Sequence, residues 1–175
     1  MLSTILIVIA VIIVVFLIVA SRQPADFCIR RSLAIQAPAS AVFPFVNDVH
    51  EFQEWSPWAK MDATSKVTYE GPPAGLGASF HWAGGKSGEG KMTNTKSRPD
   101  EIAVYRLEFV KPFTATNIAE FALKPEGNQT VVTWSMRGTN AFMFKAMSLL
   151  LNTDKMVGRD FEKGLASLKA LAEAK

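Results

Sequence analysis

The stretch DKMVGRDFEKGLASLKALAE, residues 154–173, decides the fold, because its apolar residues recur at the spacing of a helix. The steps between them are four, four, three and four residues, which places them in one stripe along the helix. Asn152 or Thr153 can cap this helix, and Asp154 suits the positive end of its dipole. The stripe must lie on another apolar surface, and it consists of Val157, Phe161, Leu165, Leu168 and Ala172.

A sheet predicted from Lys66 to Arg137 provides that apolar surface. Short alternating runs are separated there by turn residues, and six antiparallel strands are the simplest interpretation. In residues 130–137, apolar side chains occupy every second position, so one face is apolar and the other faces water. The turn signals are residues 71–73, 84–85, 98–100 and 126–128.

The segment before this sheet predicts one further strand and a short helix. The strand covers Phe27 to Gln36, and the helix starts near Pro38. Pro44 interrupts the helical pattern, which predicts a kink or a late helix start at that residue. A further apolar helical stretch is expected at residues 142–151, and the order of elements predicts an α+β fold. The buried face of the short helix comprises Val42, Phe45, Val46 and Val49.

The first twenty residues, MLSTILIVIAVIIVVFLIVA, contain no charged side chain. As a helix, residues 2–20 would extend roughly 29 Å, close to the thickness of the bilayer hydrocarbon. A cleaved signal peptide is the alternative, but no Lys or Arg precedes the apolar run. Ile18 and Ala20 also form a poor cleavage site. We therefore expect a retained transmembrane anchor at 1–21, a short linker at 22–26 and one domain at 27–175.

The charges that flank the anchor favour a single-pass protein with a cytoplasmic domain. Arg22, Arg30 and Arg31 follow the apolar run, and positive residues collect on the cytoplasmic side. The only cysteine, Cys28, cannot form an internal disulfide, which suits a reducing compartment. The net charge of +3 is small and dispersed, so no nucleic acid partner is expected. The sequence does not identify a protein partner.

Four local strings, together with the order of elements, resemble the SRPBCC superfamily. This superfamily has the helix-grip fold of START and Bet v 1-like proteins, and the similarity extends to small membrane-anchored members of polyketide cyclase/dehydrase type. The resemblance implies a curved antiparallel sheet of about seven strands wrapped around the long C-terminal helix, with a hydrophobic cavity between them. The strings are FVNDVHEFQEWSPWAKMD (45–62), GEGKMTNTKSRPDEIAVYRLEFVKPF (88–113), TVVTWSMRGTNAF (130–142) and DKMVGRDFEKGLASLKALAE (154–173).

If the implied cavity exists, the apolar faces supply its lining, and aromatic side chains dominate it. Such a lining suits a flat or isoprenoid-like ligand, although aromatic stripes are also typical of a filled core. Gly164 either leaves room for a ligand or lets the helix pack closely on the sheet. The expected ligand-binding residues are Trp55, Trp58, Phe80, Trp82, Tyr105, Phe109, Asn117, Phe121, Trp134, Met136, Phe161 and Gly164.

The sequence contains few side chains that could act as an acid or a base toward a ligand in the cavity. His81 alternates with Phe80 and Trp82, so it is predicted to point away from the cavity. Two distant histidines and one cysteine do not make a zinc site, and neither metal nor cofactor is expected. Glu89 and Tyr105 are the catalytic candidates. A paired surface carboxylate and a core tyrosine with its hydroxyl satisfied are the alternatives for these two residues.

Three hypotheses for function follow. The first is a membrane-anchored binder or carrier of a hydrophobic small molecule, such as a lipid, an isoprenoid or a polyketide-like compound. The second is a cyclase or dehydratase-type enzyme that acts on such a ligand. The third is a membrane-tethered interaction module without ligand, in which the sheet edge or the loop from Trp55 to Trp58 contacts another protein.

Overall fold

The computed structural model describes residues 1–59, 61–62, 64–139, 145–146, 148–149 and 152–174, and it confirms the predicted α+β fold. The helical stretch predicted at 142–151 lies outside the described residues, apart from four helical positions within it. The helices are α1 (Leu2–Arg22), α2 (Ala39–Asn47), α3 (Val49–Trp55) and α4 (Thr153–Glu173). The strands are β1 (Asp26–Ile35), β2 (Lys66–Glu70), β3 (Ser79–Gly84), β4 (Gly88–Arg98), β5 (Ile102–Lys111), β6 (Ala115–Glu126) and β7 (Gln129–Thr139).

The strands form one curved, seven-stranded sheet in the order β1-β7-β6-β5-β4-β3-β2. Every neighbouring pair is antiparallel. Strands β2 to β7 follow one another by adjacent connections, and β1 joins the far side of β7. The prediction of about seven antiparallel strands is confirmed, with β1 and β2 as the two edges.

Helix α4 lies on the apolar face of the sheet and packs most extensively along β1. Its predicted stripe is buried at Phe161, Leu165 and Leu168. The Asn152 side chain accepts a hydrogen bond from the Lys155 backbone N–H at 2.9 Å, which confirms the predicted cap. At the same end, Arg31 of β1 pairs with Asp154 at 3.0 Å and with Glu162 at 2.9 Å. These contacts fix both the start and the direction of the helix.

Helices α2 and α3 follow β1 in the chain and precede β2, and α2 packs on the middle strands β5, β6 and β7 of the sheet. Helix α2 begins at Ala39, so the expectation of a late start at Pro44 is wrong. The Pro38 carbonyl accepts the N–H groups of Ala41 and Val42, which starts the helix five residues before Pro44. Burial of the apolar side chains of α2 offsets the hydrogen bond that Pro44 cannot donate.

Gly164 is the point at which α4 comes closest to the sheet. A Cβ atom there would lie 2.8 Å from Trp134 Cζ3 and 3.1 Å from Pro57 Cδ. Such distances are shorter than ordinary van der Waals contact. Of the two roles the sequence left open for Gly164, the structure therefore shows close helix packing.

We expect Gly164→Ala to destabilise the fold by about 1 to 3 kcal/mol, because the added methyl group must displace a buried tryptophan. This loss should appear although alanine favours a helix over glycine by about 1 kcal/mol. The free energy of unfolding is measured by denaturant titration of the full chain in detergent. Ser167→Ala, on the exposed face of α4, is the control. Unchanged stability in Gly164→Ala would mean that free space adjoins this residue.

Candidate functional site

A cavity of about 390 Å³ lies between the apolar face of the sheet and α4. This volume falls within the range of pockets that bind small molecules. The sequence alone could not distinguish a cavity from a filled core, and the structure contains the cavity that the family resemblance implied. Most of its wall is apolar and aromatic.

The aromatic wall of the cavity is held rigidly by ring contacts. The ring of Trp134 stacks on that of Phe161 of α4, with centroids 4.1 Å apart and planes within 3°. Trp58 contacts both rings edge to face. The Trp134 indole N–H has no acceptor among the described residues. The predicted ligand-binding residues that line the cavity are Trp58, Phe80, Trp82, Phe109, Phe121, Trp134, Met136 and Phe161.

Four of the predicted ligand-binding residues lie outside this lining: Trp55, Tyr105, Asn117 and Gly164. The Trp55 indole N–H donates to the Phe45 carbonyl at 2.8 Å. Helix α2 packs across this end of the sheet, and its Phe45 carbonyl holds the Trp55 indole, which was expected near the mouth of the cavity. The Asn117 amide nitrogen lies 3.9 Å from the sulfur of Met136.

Tyr105 is a core tyrosine with a satisfied hydroxyl. Its hydroxyl donates to the Val46 carbonyl at 2.7 Å, and the side chain is fully buried. Burial raises the pKa of the Tyr105 phenol well above its ordinary value. The hydroxyl is therefore a neutral structural donor at physiological pH, directed at α2 rather than at the cavity.

Glu89 lies on the outer face of the sheet, opposite to the cavity. Its carboxylate pairs with Lys111 at 2.8 Å and with His81 at 3.6 Å. The hydrogen bond from Lys111 lowers the pKa of Glu89 below its ordinary value, so the carboxylate is ionised and paired. His81 is also on this outer face, as its alternation with Phe80 and Trp82 predicted. Neither catalytic candidate, Glu89 or Tyr105, contacts the cavity.

Apart from Gln53 of α3, the polar part of the lining lies in two irregular segments that sequence periodicity did not reveal. One is the connection 56–65 between α3 and β2, and the other is the turn 85–87 between β3 and β4. A coil segment shows no repeat, so no pattern marked these positions. Phe52, Val67 and Met92 also line the cavity, and their helical or alternating spacing could have identified them. The polar lining residues of the two segments are Ser56, Ser65, Lys86 and Ser87.

Asp62 joins these two segments. Its carboxylate accepts hydrogen bonds from the Thr64 hydroxyl at 2.6 Å and from the backbone N–H groups of Lys86 and Ser87 at 2.8 and 3.1 Å. The residue is only 6% exposed. A Cβ atom at Gly84 would lie 2.6 Å from the Asp62 carboxylate, so only glycine leaves room for it. The hydrogen bonds, led by that of Thr64, hold the pKa of Asp62 far below its ordinary value.

The part of the chain that the structure describes contains no set of metal ligands. No three His, Cys, Asp or Glu side chains are grouped there so that they could hold a metal ion. The cavity wall carries indole, phenyl and thioether groups, with hydroxyl groups and one lysine at its polar end. This arrangement can enclose an apolar molecule and offer hydrogen bonds to one end of it.

Comparison with known proteins gives a family and a fold. The family model described as "Polyketide cyclase / dehydrase and lipid transport" matches residues 26–173. No curated protein matches this sequence.

Solved structures resemble the chain over most of its length. Protein MLL2253 from Mesorhizobium loti is 14% identical, with a TM-score of 0.63 over 85% of this chain and 98% of the other. Protein CV1439 from Chromobacterium violaceum is 16% identical, with a TM-score of 0.61 over 83% and 96%. Ara h 8.0201 is 10% identical, with a TM-score of 0.60 over 86% and 99%. At these identities the likeness shows the fold alone.

We expect Asp62→Asn to loosen the two segments that Asp62 joins. The Asn amide places an N–H group where the Lys86 and Ser87 N–H groups need an acceptor, so at least one hydrogen bond is lost. Hydrogen exchange measured by mass spectrometry should become faster in residues 61–65 and 85–87 and stay unchanged in β6 and β7. Asp100→Asn, at an exposed turn, is the control.

The lowered pKa of Asp62 also predicts how the local stability of the wild type depends on pH. A carboxyl group whose pKa is lowered on folding contributes stability above its unfolded pKa of about 3.9 and loses it as the pH falls toward the folded value. Asp62 stays ionised between about pH 5 and 8, so the free energy of local opening of residues 61–65, measured by hydrogen exchange, should not change over that range. Opening should become more frequent only in stronger acid. The role of Asp62 in joining the two segments would be contradicted if Asp100→Asn also made exchange there faster. It would likewise be contradicted if Asp62→Asn left the exchange unchanged.

Proposed function

The chain belongs to the polyketide cyclase/dehydrase and lipid transport family, and from that premise we propose that it is a membrane-anchored binder or carrier of a hydrophobic small molecule. The family match and the sheet wrapped on α4 confirm the SRPBCC helix-grip resemblance. Hydrophobic ligand binding and cyclase/dehydrase chemistry are the two roles that this family suggests. The residues of the cavity favour the first.

The aromatic cavity carries this proposal. Its wall offers large apolar rings with fixed orientations, and burial of a ligand against them contributes about 25 cal/mol for each Å² of apolar area. The hydroxyl groups of Ser65 and Ser87 and the ammonium group of Lys86 belong to the polar segments that line one end. The ligand class that suits this lining is a lipid, isoprenoid or polyketide-like molecule with one polar end.

Helix α1 supports the membrane part of the proposal. The span Ser3–Arg22 has a mean hydropathy of 3.4 and is long and apolar enough to cross a membrane. A signal sequence near an N-terminus has the same character, and the proposal takes the span as a retained anchor. Because Arg22, Arg30 and Arg31 follow the span, we propose that the domain is on the cytoplasmic side.

The cyclase or dehydratase alternative is named by the family description and remains the second candidate. Such chemistry requires an acid or base within reach of the ligand. Among the described lining residues there is no carboxylate and no imidazole, and Lys86 is the one titratable side chain. The ligand-free interaction module loses one of its two proposed contact surfaces, the loop from Trp55 to Trp58, since Trp55 is buried and Trp58 lines the cavity. The other surface, the sheet edge at β2, is exposed. Ligand binding accounts for more of the structure than either alternative.

We expect Ala119→Phe to abolish ligand binding, because Ala119 lines the cavity and the added ring would fill part of it. Ala122→Phe adds the same ring to the outer face of the same strand and is the matched control. Native mass spectrometry of the full chain, purified in mild detergent, counts apolar molecules that stay bound. Lipid around α1 is common to both variants and cancels in the comparison.

The expected result is a bound molecule in the wild type and in Ala122→Phe but not in Ala119→Phe, with similar circular dichroism spectra for all three. Equal retention in Ala119→Phe would place the bound molecule outside the cavity. A wild type that never retains a molecule beyond the lipid around α1, even when expressed in its native host, would overturn the carrier proposal.

A further inference from the structure

The register of the sheet places several chain segments at the same end as α1. Three residues separate the end of α1 from the start of β1 at Asp26, and Asp26 pairs with Thr139 at the end of β7. Because every neighbouring pair is antiparallel, the turns 112–114 and 85–87 and the start of β2 lie at this same end of the sheet. We call this side of the domain the anchor end.

The cavity opens toward the anchor end. Lining residues in the middle of the sheet, such as Met92, Ala119 and Phe121, are buried. Lys86 in the turn 85–87 and Met61 in the connection before β2 also line the cavity, and both are exposed. Since exposed lining residues mark where a cavity meets solvent, the mouth is on the side from which α1 leaves the domain.

Several large apolar side chains are exposed at the anchor end, and three of them are more than half exposed. Met61 is 51% exposed, Phe113 in the turn between β5 and β6 is 51% exposed, and Met156 in the first turn of α4 is 56% exposed. The hydrogen bonds of Asp62 fix the segment that presents Met61. Exposed apolar side chains gathered at one end of a domain are typical of protein or membrane contacts.

Cations accompany these apolar side chains. Lys66, Lys86 and Lys155 lie at the anchor end, and in the part of the chain described none of them forms an ion pair. The acidic residues Glu89 and Asp154 of the anchor end are already paired, with Lys111 and Arg31. At the opposite end, Arg98 and Lys124 are paired with Glu101 and Glu126. Lysines near a bilayer are attracted to anionic head groups by about 1 kcal/mol each. The charge distribution therefore matches an anionic lipid surface at the anchor end.

We infer that the anchor end docks on the bilayer through a lipid rim, which comprises Met61, Phe113, Met156, Lys66, Lys86 and Lys155. The apolar side chains of the rim enter the head-group region, and its lysines bind anionic head groups. The mouth of the cavity then faces lipid, so a hydrophobic ligand exchanges with the bilayer without crossing water. This inference rests on the proposed membrane anchoring and ligand binding.

The length of the connection to α1 favours the bilayer over a protein partner. The four residue steps from Arg22 to Asp26 span at most roughly 14 Å when extended. The strand end at Asp26 is therefore held within that distance of the end of α1, and the rim is at the same end of the domain. A protein partner would have to enter this narrow space.

The test places a fluorescent label at each end of the full chain. In a Cys28→Ser background, Thr114→Cys is labelled with nitrobenzoxadiazole beside Phe113, and Asn128→Cys is labelled at the opposite end as the control. The chain is reconstituted in phosphatidylcholine vesicles, with and without phosphatidylserine, whose acyl chains carry a spin-label quencher. We expect the label at 114 to lose fluorescence, more so with phosphatidylserine, and the label at 128 to keep it.

A charge variant tests the lysines separately. Lys66→Gln, Lys86→Gln and Lys155→Gln together should remove the extra quenching that phosphatidylserine causes at position 114. Lys96→Gln with Lys124→Gln, near the opposite end, should leave it unchanged. Met156→Cys provides a second label site at the rim if the Thr114→Cys protein does not fold.

No quenching at either rim position, or equal quenching at 114 and 128, would overturn the lipid rim. These outcomes are distinct from failure of the carrier proposal, which native mass spectrometry measures as the absence of a bound molecule. Quenching at the rim of a chain that never holds a ligand would keep the docking surface and reject the carrier. A retained ligand without quenching at the rim would keep the carrier proposal and reject the docking surface.

Discussion

The packing of α4 on the sheet through Gly164 and Trp134 is the contact on which the rest of the structure depends. Gly164 brings the helix within van der Waals contact of the Trp134 ring, and Phe161 then stacks on the same ring. The ion pairs of Arg31 fix the N-terminal end of the helix. A helix held at these points closes the sheet along β1 and β7, and it leaves space toward β3 and β4.

The cavity is the consequence of that one-sided packing. Helices α2 and α3 fill the other end, where the buried donors of Tyr105 and Trp55 end on backbone carbonyls. Each of these two buried donors thus has an acceptor, as buried polar groups require, and the apolar packing of α2 and α3 closes that end. At the anchor end the cover is made of irregular chain, which Asp62 holds by accepting several hydrogen bonds. The two ends of the cavity therefore differ. Apolar packing closes one end, and at the other a single carboxylate holds the irregular segments beside the mouth.

The antiparallel topology links the cavity to the membrane helix. The first strand follows α1 directly and pairs with the last strand, so the beginning and the end of the sheet share one side with the turns 85–87 and 112–114. The same arrangement places the start of α4 there. A tether, a mouth and a set of exposed apolar and basic side chains therefore meet at one end because of strand order, although they are far apart in the sequence.

Local patterns in the sequence by themselves determined the α+β class, the faces of the strands, the stripe of α4 and a cap at Asn152 or Thr153, because these depend on neighbours within a few residues. They also placed His81 on the outer face. Whether Tyr105 or Trp55 faces a ligand, whether Glu89 is paired, and whether Gly164 marks a space or a contact were decided only by the tertiary structure. Those outcomes depend on α2, Lys111 and Trp134, which are distant in the chain. Free volume is a property of the whole packing, and no local repeat records it.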